Sequence, residues 1–194
     1  MYGANPQMAH IEDTSPPLDE AGIKRIQEIV GAVLLYGREF GNKLLVTLNT
    51  IGTQQAAATE ATNAAVNQML DYLTKYTNDT IVYVPSDMIL AAHSDSGFHN
   101  ESRGRSQAGA HIFLSEDDPI PLWNGPILSI TIVIKFVMTF AAEAELEALY
   151  ITAQKLFPIR QTIIEMGWPQ PLTPIQTENK TAEDVVNNKI VTKK

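Results

Sequence analysis

The stretch "AAHSDSGFHNESRGRSQAG", residues 91–109, decides how the second half of this chain is interpreted. An apolar run at residues 88–92 leads into Asp95, and small, polar and basic residues separate it from a second apolar run at residues 110–114. Ser-Asp-Ser-Gly is common in turns, so Asp95 could be an ordinary turn residue. A carboxylate at the end of a strand could instead bind a metal ion, and that alternative requires matching carboxylates elsewhere in the chain.

The composition is that of a globular protein with an acidic balance. Hydrophobic residues make up 44% and charged residues 19% of the 194 residues, and the net charge is −8. Domains that bind nucleic acid through its phosphates are usually basic. Any contact of this chain with nucleic acid is therefore expected to be local or mediated by cations.

Cysteine is absent, which excludes disulfides and thiolate metal sites. The first residues lack the basic and then apolar pattern of a signal peptide, and polar residues interrupt the longest apolar run. We therefore expect no membrane partner and an intracellular location, either cytoplasmic or nuclear.

The apolar pattern divides the first part of the chain in two. Residues 1–18 carry three prolines among polar residues and are expected to form a loose leader. Residues 19–78 contain apolar residues at helical spacing, which predicts a small helical segment. Within this segment the apolar run at residues 44–51 could be helix or strand, and we favour helix.

Residues 79–194 change to a pattern typical of strands. The strand-like runs are 80–84, 88–95, 107–114 and 127–135. The first two are separated by Pro-Ser-Asp and predict a hairpin. A helix follows, which Pro158 is expected to interrupt or end, and "TPIQTEN" predicts a short strand that leads into a last helix. Three antiparallel strands followed by helices and a further strand predict an α/β fold with a mixed sheet.

Three acidic residues occupy comparable places in this pattern. Asp95 is expected to end a strand, Glu145 lies in the first turns of the long helix, and Glu178 lies between the short strand and the last helix. Taken singly, each is explained by a turn, a helix dipole or a cap. If they converge, they form a hard-oxygen site suited to Mg²⁺ or Mn²⁺ and to two-metal hydrolysis of a phosphodiester.

Several motifs resemble the ribonuclease H domain of copia-type retrotransposon polyproteins. They are "DSGF" at 95–98, "RSQAG" at 105–109, "AAEAELEALY" at 141–150 and "IQTEN" at 175–179. The resemblance implies a ribonuclease H-like fold that cleaves the RNA strand of an RNA–DNA hybrid with two Mg²⁺ or Mn²⁺ ions. It also implies that Asp95, Glu145 and Glu178 are the catalytic, metal-binding residues.

The helical segment carries a resemblance of its own. "GAVLLYG" at 31–37 and "LDYLTKYTND" at 70–79 are similar to the helices that connect polymerase and nuclease in the same polyproteins. The resemblance therefore covers roughly residues 20–190. After the leader expected at residues 1–18, it implies that residues 19–78 are a connection segment and residues 79–194 a truncated ribonuclease H-like domain. The partners it implies are an RNA–DNA hybrid and the rest of a retroelement polyprotein.

Two departures from the family pattern predict impaired activity. The third metal-binding position is Glu178 where the family has aspartate, and one added methylene moves a carboxylate by about an ångström in a site that needs about 2.0–2.1 Å to Mg²⁺. The family's fourth acidic ligand follows a further strand that this sequence does not contain, and we expect neither Glu183 nor Asp184 to replace it. The alternatives are a non-catalytic module that binds nucleic acid or protein, and a remnant without function.

Other side chains near these motifs have both a functional and an ordinary interpretation. Arg103 and Arg105 could contact phosphates of a bound hybrid, or could simply be solvated in a hairpin. His93 shares a strand face with Asp95 and is a minor candidate for the site. Trp123 and Trp168 could stack on bases, but their proline-rich surroundings are more typical of packed loops.

Overall fold

The computed structural model describes residues 13–78 and 80–187, and these fall into two units. The first, called here the helical unit, comprises residues 13–78 together with 100–104. The second, the sheet unit, comprises residues 80–99 together with 105–187. In this part of the chain no helix is both long enough and apolar enough to cross a membrane.

The helical unit contains three helices, as the apolar spacing predicts. They are α1 (Glu20–Glu39), α2 (Leu45–Gln54) and α3 (Glu60–Lys75), with short 3-10 turns at Asn42–Leu44 and Gln55–Ala57. Asp19 begins α1 by accepting a hydrogen bond from the backbone N–H of Gly22 at 2.8 Å, which satisfies a donor that has no partner inside the helix. The run at residues 44–51 is helical, which confirms the favoured interpretation.

One apolar stripe from each helix forms the core of this unit. Ile26, Leu48, Ile51 and Val66 are at most 2% exposed. Burying each such side chain contributes about 1.5–3 kcal/mol. Gly37 allows α1 and α2 to pack closely, because a Cβ atom at this position would lie 2.9 Å from Leu48 Cδ1.

The described part of the predicted leader, residues 13–18, is held against the start of α3. Pro17 and Thr59 form an isolated antiparallel bridge, and the Leu18 N–H donates to the Ala58 carbonyl at 2.9 Å. Hydrogen bonds from Ser15 and Thr59 lower the pKa of the Asp13 carboxyl. Residues 1–12 lie outside the described residues.

The sheet unit contains a mixed four-stranded sheet and two helices, which confirms the predicted α/β class. Its strands are β1 (Ile89–Glu101), β2 (Arg105–Ser115), β3 (Pro126–Val133) and β4 (Ile175–Gln176), and its helices are α4 (Ala141–Glu165) and α5 (Lys180–Val186). The strand order is β3-β2-β1-β4. β2 and β3 are antiparallel, β1 and β4 are parallel, and the three-residue connection requires β1 and β2 to be antiparallel.

The hairpin predicted between residues 80–84 and 88–95 is wrong. Residues 80–88 form no strand, and the side-chain amide of Asn124 bonds both backbone groups of Val84, at 2.9 and 3.0 Å. Met88 then adopts a positive φ of 62°, which interrupts extended backbone immediately before β1. The β-branched residues at 80–84 therefore give an extended segment tied to a loop and not a sheet strand.

The prediction that Asp95 ends a strand is also wrong. β1 continues six residues further, to Glu101, and Gly109 of β2 lies next to the Asp95 carbonyl, where an added Cβ would be 3.9 Å from that oxygen. The turn falls at residues 102–104, where Arg103 and Gly104 have φ of 61° and 66°. Paired positive φ values suit a tight hairpin turn, so the small and polar residues before it remain in the strand.

Pro158 neither ends nor divides the long helix, contrary to the prediction. α4 is continuous from Ala141 to Glu165, and Pro158 is exposed. Proline inside a helix removes one hydrogen bond to the carbonyl four residues earlier, here that of Gln154, which is also exposed. The helix continues because Leu156 and Ile163 on its other side pack into the core of the sheet unit.

Gln170 extends the pairing at the edge of the sheet beyond the short strand β4. Its side chain accepts a hydrogen bond from the Leu90 N–H at 2.8 Å and donates one to the Met88 carbonyl at 2.8 Å. Arg160 of α4 donates to the backbone carbonyls of Gln170 and Pro171, at 2.6 and 2.9 Å. A side-chain amide thus acts here as a neighbouring strand's peptide group would.

The capping box of α3 yields a test of the helical unit. The Thr59 hydroxyl accepts from the Thr62 N–H at 3.3 Å, and the Thr62 hydroxyl accepts from the Thr59 N–H at 3.2 Å. We expect Thr59→Ala to lower the free energy of unfolding by about 1 kcal/mol, measured by urea denaturation. Thr74→Ala near the end of the same helix is the control and should cause no loss. Equal losses in the two variants would contradict this role of the cap.

Candidate active site

The pairing of β1 with β4 brings two of the predicted residues, Asp95 and Glu178, to the place where β4 ends beside the middle of β1. Ala92 is opposite Ile175 and His93 is opposite Gln176 in a parallel register. Asp95 follows His93 by two residues, and Glu178 follows Gln176 by two residues. Because parallel strands advance by the same distance per residue, both carboxylates lie just beyond the paired positions.

Helix α4 brings the third predicted residue, Glu145, against β1. The buried Thr152 hydroxyl, one heptad further along α4, donates to the Ser94 hydroxyl of β1 at 3.1 Å. This contact fixes the height of the helix on the strand, and the Glu145 side chain comes to lie against Ser96, near enough to Asp95 for the charge of that carboxylate to act on it. Thr177, between β4 and Glu178, donates to Glu145 Oε2 at 3.4 Å.

Glu145 is the buried carboxylate of the site, since only 7% of the residue is exposed. Burial is the main cause that raises the pKa of its carboxyl, and the nearby charge of Asp95 raises this pKa further. Ser96 and Thr177 act in the opposite direction and lower it. The Ser96 hydroxyl has no well-formed hydrogen bond, so it compensates only part of the cost of burial.

The Asp95–Glu145 pair is a pair of like charges without a basic neighbour. Within residues 13–78 and 80–187, neither carboxylate forms a salt bridge to lysine, arginine or histidine. A divalent cation between two such carboxylates would remove their repulsion. Their oxygen donors therefore fit Mg²⁺ or Mn²⁺, the ions expected from the sequence.

Glu178 is exposed, and it is the preceding residue, Thr177, that bonds Glu145. Glu178 faces a cleft of about 850 Å³, which Asp95 also lines, together with His93, Trp123, Thr177 and Glu183. In the described part of the chain, no three carboxylate or imidazole groups are close enough together to hold a metal ion. The structure thus pairs Asp95 with Glu145, whereas Glu178 lines the cleft outside that pair, and the three-residue metal site stays a prediction.

The two arginines predicted to bind nucleic acid lie in different units. Arg103 is exposed in the turn at residues 102–104 and belongs to the helical unit. Arg105 begins β2 in the sheet unit, is partly buried, and interacts with other groups of the protein. Their contact with phosphates stays a prediction.

An aromatic cluster beside Asp95 was not anticipated from the sequence. The His93 ring stacks on Trp123 with centroids 4.1 Å apart and on Phe113 at 5.6 Å. His111 lies 5.2 Å from both Phe113 and Trp123, and its Nε2–H donates to the Asn124 carbonyl at 2.9 Å. Burial and His111 lower the pKa of His93, while the charge of Glu178 raises it.

The prediction that Trp123 and Trp168 belong to packed loops is wrong with respect to exposure. Trp123 is 65% exposed and Trp168 is 50% exposed. One feature of the sequence could have predicted part of the aromatic cluster. His93 and Asp95 are two residues apart in one strand, and His111 and Phe113 are two residues apart in the next, so each pair lies on one face of its strand. The sequence has no signal that positions the loop carrying Trp123 over that face.

Glu145 yields a test of the electrostatics. Since the fold raises the pKa of this carboxyl, its contribution to stability is fully present below the ordinary glutamate pKa and is lost as pH rises through the raised pKa. In the presence of EDTA, Glu145→Gln should raise the free energy of unfolding by about 1 kcal/mol near neutral pH and change it little at low pH. Denaturation curves at both pH values measure this.

Glu147→Gln on the same helix is the matched control and should have little effect at either pH. If Glu145→Gln instead destabilises the chain near neutral pH, then the favourable interactions of the carboxylate with Ser96 and Thr177 outweigh burial and the repulsion by Asp95.

No protein-family model matches the sequence, and no curated protein matches it. Among solved structures, the crystal structure of LC11-RNase H1 in complex with an RNA/DNA hybrid resembles this chain with a TM-score of 0.38 and 14% sequence identity. The match covers 54% of this chain and 65% of that chain, so this chain spans less than two thirds of the protein it matches.

Proposed function

We propose that the sheet unit is a ribonuclease H-like domain derived from a copia-type retrotransposon polyprotein. Its ancestral reaction is metal-dependent hydrolysis of the RNA strand of an RNA–DNA hybrid, and this chain carries the reaction in impaired form. The observation that supports the proposal best is the buried Glu145 carboxylate, whose pKa the nearby charge of Asp95 helps to raise; among the described residues, neither group forms a salt bridge to a basic side chain.

The burial of Glu145 is what sets this pair apart from ordinary surface acids. A carboxylate that served only to balance the helix dipole would be exposed to solvent. Glu145 is only 7% exposed, and burial together with the nearby charge of Asp95 raises the pKa of its carboxyl. Carboxyl groups whose pKa is shifted by burial and by a specific charged neighbour are more frequent in functional sites than elsewhere. The motifs "DSGF", "AEAELEALY" and "QTEN" point to the same three positions.

In the proposed site, Asp95 and Glu145 would hold a divalent ion, and Glu178 would approach it from the third position. When bound, Mg²⁺ or Mn²⁺ activates a water and stabilises the charge of the phosphate. Thr177 orients the Glu145 carboxylate through its hydroxyl. The arginine side chains of Arg103 and Arg105 would contact the backbone of the bound hybrid.

Glu178 is the reason to expect impaired activity. It is exposed and outside the Asp95–Glu145 pair, and an ion held by two carboxylates is bound more weakly than one held by three. Two ions about 3.5–4 Å apart, as the ancestral mechanism requires, need more acidic ligands than this pair supplies.

We further propose that residues 1–18 are a leader and residues 19–78 the connection segment that precedes this domain in such polyproteins, with the nuclease domain at 79–194. The partners are then an RNA–DNA hybrid and the remainder of a retroelement polyprotein.

A cleavage assay tests the proposed reaction. The purified chain is incubated with a hybrid labelled on its RNA strand, in Mg²⁺ and separately in Mn²⁺. We expect slow cleavage that Asp95→Asn and Glu145→Gln each reduce by about 100-fold or more, because each removes half of the ligand pair. Glu147→Gln is the matched control and should cleave at the rate of the unchanged chain. Glu178→Asp, which shortens the side chain to the family's residue, should cleave faster.

Binding of the hybrid without cleavage would support a second function, a non-catalytic nucleic-acid-binding module. The observation that favours it is that the described residues bring no three metal-binding groups together. A chain that neither binds nor cleaves the hybrid would overturn both proposals.

A further inference from the structure

We infer that the exposed indole of Trp123 is a platform on which an unpaired nucleobase stacks beside the carboxylates. The inference deepens the proposed function, on which it rests, by naming the form of nucleic acid that the site receives. The ligand would be an RNA–DNA hybrid that also carries a single-stranded segment, in RNA or DNA, next to its duplex.

The exposure of Trp123 is not explained by packing. About two thirds of the residue, 65%, is open to solvent, and its neighbours Ile120 and Leu122 are 75% and 69% exposed. Indole is among the largest apolar surfaces that a side chain can bury, so leaving it in water forgoes much of that stabilisation. A ligand that covers the free part of the ring would recover it.

The indole is nevertheless held in a fixed orientation. The His93 ring lies under it at 4.1 Å and 24°, and Phe113 beyond is inclined to it by only 6°. Its loop is anchored on both sides, since Ser115 donates to the Leu122 carbonyl at 3.0 Å and Asn124 donates to the Leu114 carbonyl at 2.8 Å. A stacking surface that is already ordered loses little conformational entropy when a ligand binds.

The position of the platform connects it to the proposed site. Trp123 lines the same cleft as Asp95 and Glu178, so a ligand stacked on the indole would lie beside the carboxylates. His93 links the two features physically, because it stacks on Trp123 and precedes Asp95 by two residues on the same face of β1.

The negative charge of the cleft favours binding of the base of a nucleotide over binding of its phosphate. Asp95, Glu178 and Glu183 line it, and phosphates would be repelled unless cations intervene. Stacking between a base and an aromatic ring contributes about 1–3 kcal/mol and needs no positive charge. The faces of bases inside a duplex are covered by their neighbours, so only an unpaired base offers a free face.

Fluorescence of Trp123 tests the inference directly. Trp168→Phe leaves Trp123 as the single tryptophan of the chain, and Asp95→Asn in the same protein prevents cleavage during the measurement. Single-stranded oligo(dT) and oligo(rU) should quench its emission in Mg²⁺, and a blunt RNA–DNA hybrid should quench it much less. The two single strands distinguish DNA from RNA as the source of the base.

Binding of the same labelled single strands, followed by fluorescence polarisation, supplies the second readout. In the full chain carrying Asp95→Asn, Trp123→Ala should weaken binding by about 5- to 150-fold, the range that corresponds to 1–3 kcal/mol. Trp123→Phe, which retains a ring over His93, should weaken it less. Trp168→Ala removes the other exposed tryptophan and should leave binding unchanged.

Three results would overturn the inference: equal quenching by the blunt hybrid, unchanged binding in Trp123→Ala, or quenching by a lysine-rich peptide in place of the oligonucleotides. The last would mean that the acidic cleft and indole receive a cation. Trp123-dependent binding by a chain that never cleaves would overturn only the proposed reaction, whereas cleavage of hybrids at an unchanged rate and KM in Trp123→Ala would overturn only the platform.

Discussion

The short parallel pairing between β1 and β4 is the contact on which the arrangement of the sheet unit depends. Only two residue pairs form it, Ala92 with Ile175 and His93 with Gln176, yet these residues are more than eighty positions apart in the chain. The pairing sets Thr177 against Glu145 and brings Glu178 to the cleft that Asp95 lines from the middle of β1. A shift of β4 by one residue along β1 would turn the side chains of Thr177 and Glu178 to the opposite faces of the sheet.

The Asp95–Glu145 pair is costly for the fold by itself. Burial and the neighbouring charge both oppose ionisation of Glu145, and the two hydroxyl groups beside it compensate only in part. Selection for stability alone would replace such a buried acid with a neutral residue. A residue that lowers the stability of an otherwise well-packed core is typically one that is retained for binding or chemistry.

Local patterns in the sequence predict the helices well and the strands only in outline. The periods of α1, α2 and α3 are set by apolar residues within each helix, so these elements follow from short-range information. Asp95 inside β1, the unpaired segment at residues 80–84 and the continuous helix through Pro158 all depend on partners distant in sequence. For Val84 that partner is Asn124, forty residues away.

In the candidate site, too, some features can be predicted from the sequence and others depend on contacts between distant parts of the chain. The three acidic positions can be found from motifs, and the approach of Glu178 to Asp95 follows once the pairing of β1 with β4 is known. The burial of Glu145 could not be found this way, because it depends on how α4 packs against a sheet strand that is about fifty residues earlier in the chain. The exposed indole of Trp123 could not either, since the loop that carries it has no periodic pattern.

The side-chain amide of Gln170 makes the edge of the sheet a separable part of the molecule. β4 has two residues, and next to it β1 is bonded by the side chain of Gln170, whose backbone carbonyl accepts a hydrogen bond from Arg160. Such an edge opens at a lower free energy than the central strands, so its amides should exchange with solvent by sub-global opening. Each opening would release Thr177 from Glu145 while β1, β2 and β3 stay paired. Glu178 would then move away from Asp95 and return reversibly within an otherwise folded protein.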